Sequence, residues 1–251
     1  MMKGVWRGML ERELVPIGTM SAQIAALLGT RIVAGEFRPG DTLPIESDLC
    51  QLYGVSRTVI REAVKNLSAK RLIDVSPKVG TRVLPFADWN LLDRDVLTWR
   101  LSAQFDAKII EDIFEMRLCL EPRASFLAAR DGTADDLRTI EDHYRELKDA
   151  FESNLAIEAT SQADLAFHLA VIHASHNALF ITVGGALKSA LRVSSQMLQR
   201  HATRPAEDLA AHDAVRAAIA SRSSPRAERA MEKLLVAARD RLLPLTVKAI
   251  S

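Results

Sequence analysis

Arg57, Arg61 and Lys65 recur at every fourth residue. On a helix that spacing sets three cations on one face. Ile60, Ala63, Val64 and Leu67 fall on the other face at the spacing of a core stripe. A short helix of this kind, entered through Tyr53-Gly54-Val55-Ser56, has the form of an element that enters a DNA major groove. Arg57 lies just inside its start, where side chains reach base edges, and arginine can donate two hydrogen bonds to guanine O6 and N7. Arg61, one turn later, can do the same or hold a phosphate. Thr58 can serve a base or a phosphate. Lys65, further along, suits a phosphate. The bland alternative is a solvated helix face.

A second set lies far downstream. Asp164 and His168 stand at i and i+4, on one helix face, and His212 can join them from another helix. One carboxylate and two imidazoles are a donor set for a divalent metal of the zinc type. A surface Asp–His pair or a hydrogen-bonded core histidine is the competing reading. His173 and His176, five and eight residues after His168, do not share its face. His176 suits the helix end, where a cation opposes the dipole.

The elements that must position these residues follow from period and punctuation. Met20–Val33 carries Ile24, Leu27, Leu28 and Ile32 at helical spacing and stops at Gly35. Glu46–Tyr53 is a short second helix that Gly54 can end in the left-handed conformation. Ser56 caps a third helix running to about Lys70. Leu72–Val75 and Thr81–Leu84 read as strands joined by the turn Ser76–Gly80. Three helices and a hairpin make a winged helix-turn-helix over 18–84, preceded by a mobile arm over 1–17. Lys78 stands at the wing tip, and Gly80 and Thr81 permit close approach to a DNA backbone.

Residues 85–104 form a connector too apolar for a free tether, so it should pack on one domain. It is also the expected transmitter between domains. Residues 105–251 read as helices throughout: Asp106–Arg130, Thr133–Glu152, Leu155–Ser175, Ala178–Arg200, Pro205–Ser221 and Ser224–Lys248. The expected fold is therefore mainly α, a winged helix-turn-helix followed by an antiparallel helical bundle. Such bundles build ligand and metal sites between facing helices.

The totals agree. Apolar residues make up 48% of 251, enough for a core without staples, and aromatics only 5%. Cys50 and Cys119, the two cysteines, form no CxxC pair. That fits a reducing cytoplasm and argues against a disulfide framework or a cysteine zinc site. No apolar run is long enough to span a membrane, and no secretory segment fits the N-terminus. Residues 1–85 carry an excess of Lys and Arg and the remainder an excess of Asp and Glu, behind a net charge of +1. A basic first part on an acidic body suggests that only the first part meets a polyanion.

Gly35-Glu36-Phe37-Arg38-Pro39-Gly40-Asp41-Thr42-Leu43-Pro44, Tyr53-Gly54-Val55-Ser56-Arg57, Arg61-Glu62-Ala63-Val64 and Gly80-Thr81 resemble the GntR family of bacterial transcription regulators. Residues Arg117, Glu121, Asp164, His168, Asn177, Arg192 and His212 are similar to the all-helical FCD effector domain of the FadR subfamily. The connector, with Trp89-Asn90, Asp93, Asp95-Val96-Leu97 and Trp99, resembles the galactonate-operon branch. The resemblance implies a homodimer that binds a double-stranded DNA operator. It implies a metal on Asp164, His168 and His212, and an effector carboxylate gripped by Arg117, with Arg192 and Asn177 as further candidates. A salt bridge to Glu121 competes for Arg117, and helix capping competes for Asn177. Two departures stand out. Ile45 occupies the usual serine cap of the second helix, and Leu234 the usual place of a third histidine ligand.

The reading is a cytoplasmic DNA-binding regulator, not an enzyme: a repressor released by a small carboxylate such as a sugar acid. The alternatives are another hydroxy-acid or fatty-acyl effector in the same subfamily, or a metal-dependent enzyme. Against the enzyme stands the lack of a partnered general base or nucleophile.

Overall fold

The structure is a computed structural model that describes residues 18–76, 79–103, 107–153, 155–200 and 205–248. The arm at 1–17 and Lys78 lie outside the described residues. The chain divides at Asn90/Leu91 into two compact units.

In the first unit α1 (Met20–Val33), α2 (Glu46–Tyr53) and α3 (Arg57–Ala69) precede a two-stranded sheet of β1 (Ile73–Ser76) and β2 (Gly80–Val83). Caps set the boundaries. Thr19 Oγ1 accepts from the Ala22 amide and Ser56 Oγ from that of Val59, so each helix gains one satisfied N-terminal donor. Gly54 ends α2 at φ +66°, a conformation that costs a side chain more than it costs glycine. Ile45 at the start of α2 makes no side-chain cap, and Glu46 and Asp48 in the first turn supply only charge against the dipole. Ile60, Ala63, Val64 and Leu67 of α3 are buried, as their spacing requires. Burial of each large member contributes about 1.5–3 kcal/mol.

The hairpin is antiparallel, with Ile73 opposite Val83 and Ser76 opposite Gly80. A lone pair of strands is marginal in water. Here it gains a third rung of backbone, since the Leu43 amide donates to Thr81 O and the Val83 amide to Asp41 O.

The expected connector does not pack as one piece. Trp89 is buried in the first unit, its Nε1 donating to Leu84 O at 2.9 Å, and the Asn90 amide donates to Lys70 O. From Leu91 the chain belongs to the second unit, where α4 (Arg94–Ala103) buries Val96 and Leu97 and packs against the later helix Lys188–Arg200. Asp93 starts α4 by accepting from the Asp95 and Val96 amides. Asp93 is thus a helix start, a signal that the run of charged residues around it obscures.

The second unit continues with α5 (Ala107–Asp131), α6 (Ala134–Glu152), α7 (Ile157–Ala174), α8 (Ala178–Ala186), α9 (Lys188–Arg200), α10 (Pro205–Ala220) and α11 (Ser224–Lys248). One expected helix, Ala178–Arg200, is interrupted at Leu187. The cause is local. Gly184 and Gly185 lower helix propensity there. Gly184 lets α8 close on α7, since a Cβ at that position would sit 3.0 Å from Ile172 Cδ1. The core of this unit runs through Phe167, Val171, Val215, Met231 and Leu235, contributed by α7, α10 and α11.

Candidate functional site

The first candidate site is the outer face of α3. Arg57, Thr58, Arg61 and Lys65 are all exposed there, opposite the buried stripe. Arg57 makes no ion pair among the described residues, so its guanidinium is free to engage a new partner. Arg61 is paired with Glu46 of α2 at 3.2 Å, and Lys65 with Glu62 at 2.8 Å. Both pairs are solvent-exposed and worth at most about 1 kcal/mol, so a phosphate or base can replace either carboxylate. Gly80, at φ +88°, and Thr81 lie on β2 at the wing.

The second site is buried. Arg117 and Glu121 come from α5, Asp164 and His168 from α7, and His212 from α10. All five are buried. Donor atoms of Asp164, His168 and His212 lie within 4.8 Å of one another. His212 Nε2 stands 3.0 Å and His168 Nε2 3.9 Å from Asp164 Oδ1.

The hydrogen bonds behind the rings fix which nitrogen faces the cluster. His212 Nδ1 donates to the Asp208 carbonyl at 2.7 Å. His168 Nδ1 donates to Glu121 Oε2 at 2.5 Å. Each imidazole therefore turns Nε2 toward Asp164, although His168 Nε2 also accepts from Arg117 Nη2 at 3.3 Å. This is the arrangement of metal-ligating histidines, whose far nitrogen is held by a carboxylate or carbonyl. A lone pair 3.0 Å from a carboxylate oxygen repels it unless a cation, a proton or a metal, lies between them. Among the described residues His212 Nε2 finds no hydrogen-bond partner, nor do Ser195 Oγ and Arg241 Nε on the same cavity wall. The donor set fits a divalent cation with three protein ligands.

Without a metal, a proton on His212 can fill that role, and the ionisation of the buried groups follows from their contacts. Burial pushes the Glu121 carboxyl up, but Arg117 and His168 outweigh it and hold it at about 2. Burial likewise opposes ionisation of Asp164, and the 3.0 Å approach of His212, with His168 and Arg117 nearby, brings it below the usual carboxylate range. Burial lowers His212, and Asp164 more than offsets that and raises it.

Arg117 is already engaged. Its Nε donates to Glu121 Oε1 at 2.7 Å, and its Nη2 reaches Glu121 Oε2 at 3.5 Å and His168 Nε2 at 3.3 Å. The salt bridge that competed with carboxylate binding is the contact formed. Leu234 of α11, at the place of the missing histidine, lines the cavity and leaves that wall apolar. Two other expected effector residues lie elsewhere. Asn177 does not line the cavity; its Oδ1 caps α8 by accepting from the Leu179 and Phe180 amides. Arg192 lines a separate open groove of about 400 Å³ with Arg94, Asp95, Thr98, Gln162 and Lys188. On α9 Ser195, one turn from Arg192, is the residue that faces the cavity. His176 sits past the end of α7 at φ +50° and pairs with Asp136 at 2.8 Å.

Sequence reasoning did not find Asp208 and Arg241, which line the cavity as an ion pair between α10 and α11. Asp208 was findable, at four residues before His212 on its face. Arg241 carried no such signal, because its partner is 33 residues away.

Residues 20–83 match the gntR family of bacterial regulatory proteins, and residues 112–237 match the FCD domain. The chain is 34% identical to the galactonate operon transcriptional repressor of Escherichia coli K12, over 89% of this chain and 97% of that protein. It is 38% identical to YieP, an uncharacterized HTH-type transcriptional regulator of the same organism, over 66% and 72%. The solved structure of Lar, which controls the agr system of Listeria monocytogenes, superposes with a TM-score of 0.62 at 17% identity, covering 90% and 97%, and shares the fold. No helix among the described residues is long and apolar enough to cross a membrane. With a winged helix-turn-helix, an all-helical partner unit and matches to both family domains, this chain belongs to the FadR-like group of the GntR family and is a DNA-binding transcription regulator.

Proposed function

We propose that the protein is a repressor that binds a two-fold operator as a homodimer and is released by a small carboxylate, a sugar acid of the galactonate kind. The observation that carries this reading is the buried cluster of Asp164, His168 and His212, ringed by polar atoms that find no partner among the described residues. The relative that represses a galactonate operon supports the effector class. The named relatives are regulators, and we read this chain as one that acts by binding rather than turnover.

On DNA, Arg57 and Arg61 read base edges, Thr58 and Lys65 hold phosphates, and Lys78, Gly80 and Thr81 bring the wing to the adjacent backbone. Arg61 gives up Glu46 to do so. Operator symmetry mirrors the dimer, and half-site spacing follows its geometry.

In the second unit Asp164 Oδ1 and the two Nε2 atoms would hold a zinc-type divalent cation. When bound, it would supply a Lewis-acidic contact for carboxylate and hydroxyl oxygens. Arg117 holds Glu121, and Glu121 holds His168 in the ligating tautomer. Arg117 thus positions rather than grips. A ligand alters DNA binding only if it favours one arrangement of the protein over another. The proposed route begins at α9, whose Ser195 and Leu198 wall the cavity, and passes to α4, which packs on α9 and follows the junction at Asn90.

Gel-shift titration on the DNA upstream of the protein's own gene tests the reading. Arg57→Ala and Arg61→Ala, folded by circular dichroism, should each weaken binding by about 1–3 kcal/mol, up to roughly a hundredfold. Lys65→Ala should weaken all sequences alike and lower the salt slope by about one. Millimolar D-galactonate should release the wild-type complex. Unchanged affinity of Arg57→Ala defeats the DNA assignment, and a complex indifferent to sugar acids defeats the effector assignment.

A further inference from the structure

The cavity beside Asp164, His168 and His212 encloses about 20 Å³. That is room for one water or one ion. Pockets for small organic ligands run to about 300 Å³ or more. A sugar acid therefore enters only if a wall moves.

Of the two arginines on that wall, Arg117 is not the one. Its side chain is 4% exposed and is bound to Glu121 and His168. Arg241 differs in each respect. It reaches in from α11, its side chain is 30% exposed, and among the described residues its ion pair is to Asp208 of α10. Its Nε is buried beside the cavity with no acceptor among the described residues. Asp208 offers that guanidinium a single contact, through Nη1, where a carboxylate placed in the cavity could take a fork of two.

The charges point the same way. Around the cavity Arg117 and Arg241 face Glu121, Asp164 and Asp208, one negative charge in excess with both imidazoles neutral. A divalent cation turns that into one positive charge. A single monocarboxylate then balances the site, which a buried cluster requires.

We propose that Arg241 is the residue that reads the effector's carboxylate. Asp208 is the internal stand-in that holds Arg241 across the cavity until the effector replaces it. This rests on the reading of the cavity as the effector site. The exchange swaps one carboxylate for another on the same guanidinium. It frees α10 from α11 at that point, so ligand binding and opening of the wall are one event. An uncharged polyol of the same length cannot displace Asp208.

Isothermal titration of the zinc-loaded, full-length protein with D-galactonate, and with galactitol as its uncharged counterpart, tests this. Wild type should bind galactonate and not galactitol. Arg241→Met should lose about tenfold or more in galactonate affinity, the worth of a hydrogen bond to a charged group. Its zinc affinity, read by chelator competition, should not fall below the wild-type value, since a cation has been removed from beside the metal. Asp208→Asn should tighten galactonate by about three- to fivefold. It should also speed amide exchange in α10 and α11 without ligand. Arg241→Met binding galactonate as well as wild type, while His168→Ala does not, overturns the role of Arg241 and leaves the effector site standing. Galactonate bound by neither wild type nor Asp208→Asn overturns the effector site itself. Unchanged amide exchange in Asp208→Asn overturns the latch.

Discussion

Replacing Arg117 by methionine tests the support beneath the metal-type cluster. Arg117 and Glu121 are paired at 2.7 Å with side chains only 4% and 1% exposed. Removing the guanidinium leaves the Glu121 carboxylate buried with the His168 Nδ1 hydrogen bond as its remaining support. Breaking a buried pair from one side costs about 3–5 kcal/mol, because the orphaned charge keeps its desolvation penalty. Methionine refills most of the volume, so little of the loss comes from a cavity. A unit of this size loses about 2–4 °C per kcal/mol, so its melting transition should fall by roughly 6–20 °C. Glu121→Gln should also destabilise, by orphaning Arg117. The double variant should lose much less than the two single losses together, since neither charge is then left alone.

The deficit should depend on pH in one direction. Glu121 is held at about 2, against 4.5 for a free glutamate. Its contribution is complete above the free value and fades as pH falls toward the folded one. The gap between wild type and Arg117→Met should therefore be widest near neutrality and narrow below about pH 4.5. Scanning calorimetry of the full-length protein across pH reads both effects. A loss under about 1 kcal/mol, or strictly additive variants, would refute the argument that this pair is a coupled buried unit.

Two further outcomes follow from the same geometry. Leu234→His should add a third imidazole to the cavity wall and tighten zinc about tenfold or more by chelator competition; unchanged affinity would mean that position 234 does not face the three donors. Asp136→Ala removes the capping box in which Asp136 accepts from the Thr133 amide and hydroxyl, and should cost about 1 kcal/mol in urea titrations. Asp136 is held below the ordinary aspartate value, by Thr133 first, so that cost should shrink as pH falls below the ordinary range. A deficit that grows in acid would reverse the assignment.

The local level of this protein was open to reading. Periods, caps and stops along Met20–Val83 are short-range signals, so Ser56, Gly54 and the stripe at Ile60, Ala63, Val64 and Leu67 could be placed from neighbours a turn away. Asp164 and His168 could be paired because i,i+4 spacing sets them on one face, and the family resemblance added His212. Where an element depended on fit to another, reading failed. The break at Leu187 follows from the close approach of Gly184 to Ile172, and the split of the connector follows from where Trp89 finds an acceptor.

Side-chain roles divided along the same line. The residue types alone determined that a basic helix face and a carboxylate–imidazole set exist, since charge and donor chemistry belong to the residues themselves. Only the tertiary structure decided what each charge meets. It gave Arg117 to Glu121, Asn177 to the end of α8 and Arg192 to another groove, and it set Arg241 against Asp208 across an ion-sized space. The physical reason is that helix spacing constrains a side chain to a face, within a turn or two, while a buried charge is satisfied by whichever distant helix the packing brings within about 3 Å.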